Sequence, residues 1–186
     1  LSFPAFGWRE VPRRRRLTLI LLGEILGTGP VSRLSKVLRE KESLVYSIKS
    51  RPYFFPWKGE FLISGSTSRE NLLQVMKLIR LEIEKLLKQG FWEKEIKRGK
   101  SVLDSMNSFR LESPEKIAHY FAKEEFSGEG VWLPEDYIAE ENRITKKELS
   151  QLAKAIFDFS RLNIGLLGKA GEKEIKKIEK IFQAKD

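Results

Sequence analysis

Residues 32–47, SRLSKVLREKESLVYS, change from one backbone pattern to another halfway along. The first part is a basic segment with helical spacing. From Leu44 onward, apolar and polar residues alternate as they do in a strand. The chain must therefore pass from a helix almost directly into a sheet, which restricts the fold to classes that contain both elements.

Strand patterns occur at four places along the chain. They are the opening LSFPAFGW, the alternating stretch 44–50, GEFLISGS from residue 59 and RLNIGLLG from residue 161. Strict alternation predicts which side chains share a face of the second strand. Leu44, Tyr46 and Ile48 should lie on one face, and Val45, Ser47 and Lys49 on the other. The two central strands are predicted to form a hairpin whose long connection contains Pro52, Pro56 and the aromatic run PYFFPW.

Most of the remaining chain has helical periodicity. Pro12 suits the first turn of a helix with an apolar stripe at Leu17, Leu21 and Ile25. Four arginines, Arg13 to Arg16, oppose the dipole of that helix, a cost that the sequence does not explain. Further helices are predicted at about Val31–Glu42, from a Thr67/Glu70 capping box to Gly90, at Glu93–Phe109, from Ser113 to Phe126, after Pro134, from a Thr145/Glu148 capping box to Phe157, and at EKEIKKIEKIFQ.

Together these patterns predict an α+β fold, in which a mostly antiparallel sheet of three or four strands is packed with helices on one face. Residues 1–186 suit a single domain. Because the chain opens with LSFPAFGW rather than Met, it is expected to be a piece of a longer protein.

Composition excludes some classes of function. Without Cys the chain has no disulfides or thiolate metal sites, although cytoplasmic and periplasmic proteins can both lack Cys. The longest apolar run, Leu17–Leu26, contains Glu24 and is half as long as a membrane helix needs, so no membrane span is predicted. The net charge of +9 comes from 35 Lys and Arg against 26 Asp and Glu, mostly mixed along helices as on solvated faces.

The sequence contains no recognisable set of catalytic residues. His119, in KIAHYFAK, is the single histidine, and a zinc motif of the zincin type needs two on one helical face. We expect His119 to be a helix residue packed beside Tyr120. No nucleophile elbow or phosphate-binding loop is present, and the carboxylates lie mostly in mixed-charge helices. The chain is therefore predicted to contain no catalytic residue, metal ligand or cofactor site.

The run ILGTGPVSRLSKVLREKESLVYSIKS, residues 25–50, resembles the non-catalytic half of pitrilysin/insulinase-type zinc metallopeptidases, which include the mitochondrial processing peptidase. The pieces that carry the resemblance are Leu26-Gly27, Gly29, Ser32-Arg33-Leu34, Leu38-Arg39-Glu40-Lys41, Leu44 and Tyr46-Ser47. The order downstream also matches, from the strand GEFLISGST through FWEKEIKRGK to a late strand ending LLGK, so the resemblance covers nearly the whole chain. The family often has acidic residues near Arg13 to Arg16, where this sequence departs from it.

Members of that family pair two homologous α+β halves as a clamshell around a chamber. One half carries zinc on a His-x-x-Glu-His motif, and the other contributes an arginine and a tyrosine to the substrate. The resemblance implies that this chain is the second half, with Arg39 and Tyr46 as the substrate-binding pair and zinc in a partner half on the same or another polypeptide. It also implies a peptide substrate and no activity from this chain alone. The change of pattern near Ser43 should let the two side chains converge.

Two alternatives remain open from the sequence. One keeps the fold but makes the chain an inactive scaffold or assembly subunit, like the core subunits of the respiratory cytochrome complex. The other is a basic nucleic-acid or anionic-surface binder that uses Arg13 to Arg16. If a partner half is missing, an exposed apolar face is expected, and the chain should be able to self-associate.

Overall fold

Three antiparallel strands form the sheet in the computed structural model, which describes residues 1–183. They are β1 (Ser2–Ala5), β2 (Val45–Phe54) and β3 (Gly59–Thr67), in the order β1-β3-β2. The predicted β2–β3 hairpin is present. The prediction of a long connection is wrong, because only residues 55–58 lie between the strands. Pro52 belongs to β2, where it pairs with Phe61; β2 is an edge strand, and edge strands tolerate proline.

Residues 1–183 also form seven α-helices. They are α1 (Arg13–Leu26), α2 (Leu72–Gln89), α3 (Glu93–Ser108), α4 (Pro114–Ser127), α5 (Pro134–Asn142), α6 (Lys146–Ile156) and α7 (Glu172–Gln183). A π-helix at Ser35–Lys41 and short 3₁₀ helices at Phe109–Leu111 and Phe159–Arg161 complete the described elements. The predicted α+β class is confirmed.

Two of the three predicted helix caps are present. The Ser113 hydroxyl accepts from the Lys116 amide at 3.3 Å, and Thr145 and Glu148 form a reciprocal capping box. The predicted cap at Thr67 is wrong, because Thr67 ends β3 and its hydroxyl donates to the Leu44 carbonyl at 2.6 Å. Helix α2 begins only at Leu72, so Thr67 lies too far before its first turn to cap it.

The predicted strand at RLNIGLLG is also wrong. Asn163 makes one isolated antiparallel bridge to Ser2, with backbone hydrogen bonds of 2.8 and 2.9 Å. Apart from Asn163, no residue of 161–168 pairs with a strand among the described residues. Leu166 and Leu167 are exposed, so apolar burial does not hold this segment in a strand either.

Helix α1 packs directly on the sheet. A Cβ at Gly23 would lie 3.1 Å from the Ser50 carbonyl oxygen, and one at Gly27 would lie 2.8 Å from the Ser50 amide. Only glycine permits this approach, which lets the Ser50 hydroxyl donate to the Gly23 carbonyl at 2.9 Å. The fully buried side chains of the core include Phe3, Leu21, Leu22, Ile25, Leu34, Leu38, Phe61, Ile83 and Phe91.

The arginines at the start of α1 are neutralised by distant carboxylates. Arg13 lies 3.2 Å from Glu124 of α4 and 3.3 Å from Glu129, and Arg16 forms an ion pair with the same Glu129. The Arg13 guanidinium also lies 4.8 Å from the Trp132 ring centre. Tertiary contacts therefore offset the unfavourable helix dipole that the sequence left unexplained.

Arg14 has its own acidic partners. It lies 2.6 Å from Glu140 of α5 and 2.6 Å from Glu148 of α6. The hydrogen bonds from Arg14 lower the pKa of Glu148 to about 2. Within residues 1–183, Arg15 is thus the one member of the basic block without a carboxylate partner, which argues against a nucleic-acid site built on Arg13 to Arg16.

A buried carboxyl group joins α3 and α5. The Glu141 side chain accepts from the Asn107 amide at 2.9 Å, and both residues are almost fully buried. Burial raises the pKa of Glu141 from 4.5 to about 7, with the Asn107 hydrogen bond acting in the opposite direction. The native protein therefore holds this proton more tightly than the unfolded chain does.

Arg13→Ala should lower the free energy of unfolding by about 3–5 kcal/mol, because it leaves Glu124 buried without its cation. Arg15→Ala is the matched control, since Arg15 is exposed, and should change it by less than about 0.5 kcal/mol. Urea unfolding of the three proteins makes the comparison. Equal effects of the two substitutions would show that the ion pair does not stabilise the fold.

Glu141→Gln should raise stability at high pH only. Because the native pKa is raised, the free energy of unfolding should fall as pH rises from about 4.5 to about 7. The substitution removes this loss and should stabilise by about 1–2 kcal/mol at pH 8, with little effect at pH 4.5. Thermal unfolding across this range is the measurement. Glu179→Gln, at an exposed position of α7, should leave the pH profile unchanged.

Candidate functional site

Arg39 lies in the last turn of the π-helix. Leu34 and Leu38 are fully buried and hold this helix against the core, while Arg39 is exposed. The predicted helix Val31–Glu42 is therefore present, but it is shorter and wider than expected. The Glu42 amide donates to the Val37 carbonyl, five residues back, at 3.1 Å. Such π-helical turns are rare and are often found at functional sites.

The chain leaves the helix through a left-handed residue. Ser43 has a φ of +51°, and the Leu44 amide then donates to the Leu38 carbonyl at 2.7 Å. Non-glycine residues rarely adopt this conformation, which costs about 1–2 kcal/mol. The predicted change from helix to strand near Ser43 is confirmed, with a backbone reversal that the sequence pattern did not indicate.

Tyr46 occupies a β-bulge at the start of β2. Val45 pairs with Thr67 and Ser47 with the adjacent Ser66, so Tyr46 is an extra residue on its strand. The predicted alternation, which put Tyr46 on the same side as Ile48, is wrong. The bulge shifts the register by one residue, and Val45 enters the core while Tyr46 is 77% exposed.

A buried ion pair fixes the start of this segment. Arg33 donates through Nε and Nη2 to the two carboxylate oxygens of Glu95 at 2.9 and 2.5 Å, and Nη2 also donates to the Gly90 carbonyl at 2.7 Å. The Trp92 ring lies 4.9 Å from the guanidinium. Arg33 and Glu95 both lie in motifs noted in the sequence, but their pairing was not predicted. A buried carboxylate within a charged helix start gives little local signal.

Arg39 and Tyr46 are both available to a ligand. Neither side chain has a hydrogen bond or ion pair to any residue within 1–183. A π-helix, a left-handed residue and a bulge follow one another between them. Such irregularities cost free energy and cluster at binding and catalytic sites. Chemically, the site presents a guanidinium fork and a phenolic O–H to solvent.

The other candidate residue lies elsewhere. His119 is exposed on α4, beside a cleft of about 1080 Å³ between α4 and the hairpin end of the sheet. Its neighbour Tyr120 is buried, and its hydroxyl donates to the Trp132 carbonyl at 2.5 Å. Residues 1–183 contain no group of three His, Asp or Glu side chains that could hold a metal ion. None of their helices is long and apolar enough to cross a membrane.

Comparison with known proteins identifies relatives that cover most of the chain. A family model described as the peptidase M16 inactive domain matches residues 2–103. An uncharacterized zinc protease of Bacillus subtilis is 29% identical over 149 residues, which cover 80% of this chain and 36% of that protein. One from Streptomyces coelicolor is 24% identical over 88% of this chain and 36% of its own length. The chain thus spans about a third of these relatives.

Solved structures share the fold. A protease from Helicobacter pylori superposes with a TM-score of 0.74 at 21% identity, over 86% of this chain and 38% of the other. A peptidase M16 inactive domain from Pseudomonas fluorescens gives a TM-score of 0.71 at 22% identity, with the same coverage of both chains. The architecture is therefore that of the inactive half-domain.

Substitution of Ser43 tests the backbone reversal in the site. Ser43→Val should lower the free energy of unfolding by about 1–2 kcal/mol, because a β-branched residue is strained at positive φ. Ser43→Gly should not lower it. Ser101→Val, at an exposed position inside α3, controls for the added apolar surface. Chemical unfolding distinguishes these outcomes, and equal losses for Val and Gly would contradict the left-handed geometry.

Proposed function

The chain belongs to the peptidase M16 inactive-domain family, and on that basis we propose that it closes the chamber of a zinc-dependent endopeptidase and binds the peptide substrate through Arg39 and Tyr46. Its partner in this proposal is a homologous zinc-binding half, on the same polypeptide or in a separate subunit. Residues 1–186 form one half-domain of that larger protein. The relatives are more than twice as long as this chain and leave room for a second half.

The exposed, unpartnered pair Arg39 and Tyr46 is the observation that carries this proposal. Three consecutive backbone irregularities hold a guanidinium and a phenol outward at the start of β2. A regular strand would turn Tyr46 toward the core together with Ile48, so the bulge is what makes its hydroxyl available. A stabilising role alone would not require an exposed tyrosine at a bulge.

The two side chains suit different parts of a peptide. Arg39 carries a rigid fork of donors that stays charged at any working pH and can grip a carbonyl or carboxylate group. Tyr46 can donate its O–H to the carbonyl oxygen on which negative charge builds during hydrolysis. Loss of one such donor typically costs about 3–4 kcal/mol of transition-state stabilisation.

Zinc does not fit this half. The chain has one His and no Cys, and residues 1–183 bring no set of ligands together. The proposal therefore places the metal in the partner half, where it would activate the attacking water. The role of this chain is to orient the peptide and to exclude water from the closed chamber.

Kinetics of the assembled enzyme test the proposed pair. Tyr46→Phe should lower kcat by about 10²-fold, because the O–H contact strengthens as charge develops. Arg39→Ala should lower kcat/KM through weaker peptide binding, and Arg39→Lys should restore it only in part. Lys36→Ala, an exposed cation on the same π-helix, should leave both constants unchanged.

Unfolding curves of the same variants should match the parent, since both side chains are exposed. Unchanged turnover with normal folding would exclude the substrate-binding role. Absence of both activity and zinc from the assembled protein would instead indicate a scaffold with the same fold.

A further inference from the structure

The sheet has one face covered by helices and one face open to solvent. On the covered face, Ile48, Ser50 and Ile63 are buried beneath α1 and the core. On the open face the strands present only partly covered or exposed residues. These are Ser47, Lys49, Arg51 and Tyr53 of β2, and Glu60, Leu62, Ser64 and Ser66 of β3.

The register of the hairpin orders this open face in rows. Ser47 pairs with Ser66, and their hydroxyls lie 2.9 Å apart. Lys49 pairs with Ser64 in the next row, and Arg51 pairs with Leu62 in the row after that. Two cations thus lie side by side on one strand, about 7 Å apart by strand geometry.

These two cations lack the carboxylate partners that other basic residues have. Neither Lys49 nor Arg51 forms an ion pair within residues 1–183, and the Arg51 guanidinium instead lies 4.7 Å from the Tyr53 ring centre. Glu60, in the row beyond Arg51, accepts from the Ser2 hydroxyl at 2.5 Å. The open face between Tyr46 and Arg51 therefore carries unbalanced positive charge.

This charge adjoins the candidate site directly. Because Tyr46 is the extra residue of the bulge, it lies beside Ser66, two and four residues along β3 from the partners of Lys49 and Arg51, or about 7 and 13 Å. The bulge that exposes Tyr46 also leaves Ser47 exposed on the open face. A peptide bound by Tyr46 can thus lie across the open face and meet both cations.

We propose that the open face from Tyr46 to Arg51 selects acidic peptide substrates, with Lys49 and Arg51 pairing with carboxylates about two and four residues from the residue that Tyr46 contacts. This inference rests on the proposed function, because it assumes that a peptide reaches Tyr46. An extended peptide has the rise per residue of an unbulged strand such as β3, which sets this spacing. Arg51 can bind a carboxylate through two N–H groups, whereas Lys49 acts as a point charge.

Two matched peptides test the selection in the assembled enzyme. One carries Glu at the two positions, and the other carries Gln with otherwise identical sequence. The Glu peptide should have a kcat/KM about 5-fold higher at low salt, as expected for two exposed ion pairs, and the ratio should approach 1 in 0.5 M NaCl. Lys49→Glu combined with Arg51→Glu should invert the ratio.

The control is Lys176→Glu, the same charge change at an exposed position of α7, which should keep the parent preference. Binding of the fluorescently labelled Glu and Gln peptides to the zinc-free assembly gives a second readout that does not depend on turnover. If both peptides are cleaved equally and the double variant changes nothing, selection by the open face is excluded although the peptidase function stands. If neither peptide is bound or cleaved, the proposed function fails with it.

Discussion

The buried ion pair between Arg33 and Glu95 holds the candidate site in place. It connects the start of the π-helix to the junction of α2 and α3, where Gly90 also accepts from Arg33. Removal of one partner from such a pair leaves an uncompensated buried charge, so the two residues are strongly coupled. The irregular backbone that follows, from the π-helix to the bulge, depends on this anchor at one end and on the hairpin at the other. The candidate site is thus an irregular backbone segment between the Arg33–Glu95 ion pair and the regular part of the hairpin.

The basic residues of this protein differ in whether the fold gives them a carboxylate partner. At the start of α1, arginines that would destabilise an isolated helix find carboxylates more than a hundred residues away in sequence. On the open sheet face, Lys49 and Arg51 have no such partners among the described residues. The net charge of +9 therefore says little by itself. Which cations the fold leaves unpaired is more informative, and Lys49 and Arg51 are two such cations on the same strand as Tyr46.

Local signals predicted elements well where local physics controls them. The Thr145/Glu148 capping box formed because both groups lie within one turn, and the Glu148 carboxylate accepts from Arg14 as well. The same pattern at Thr67 and Glu70 failed, since Thr67 pairs with Val45 as the last residue of β3 and α2 begins only at Leu72. RLNIGLLG has strand composition, yet a strand exists only where a neighbouring strand offers hydrogen bonds. In both failures the outcome depended on segments that are distant in sequence.

The sequence by itself determined the α+β class, the hairpin, most helix boundaries and the resemblance that singled out Arg39 and Tyr46, because apolar periodicity and short motifs are local properties. The tertiary structure decided which way Tyr46 points. Strict alternation puts it with Ile48 toward the core, and the bulge opposite Thr67 and Ser66 turns it outward. A bulge is defined by the register between two strands, and register is a property of the pair, set by core packing and long-range hydrogen bonds. For the same reason, only the folded chain separates the arginines that stabilise α1 from the cations that remain free to bind.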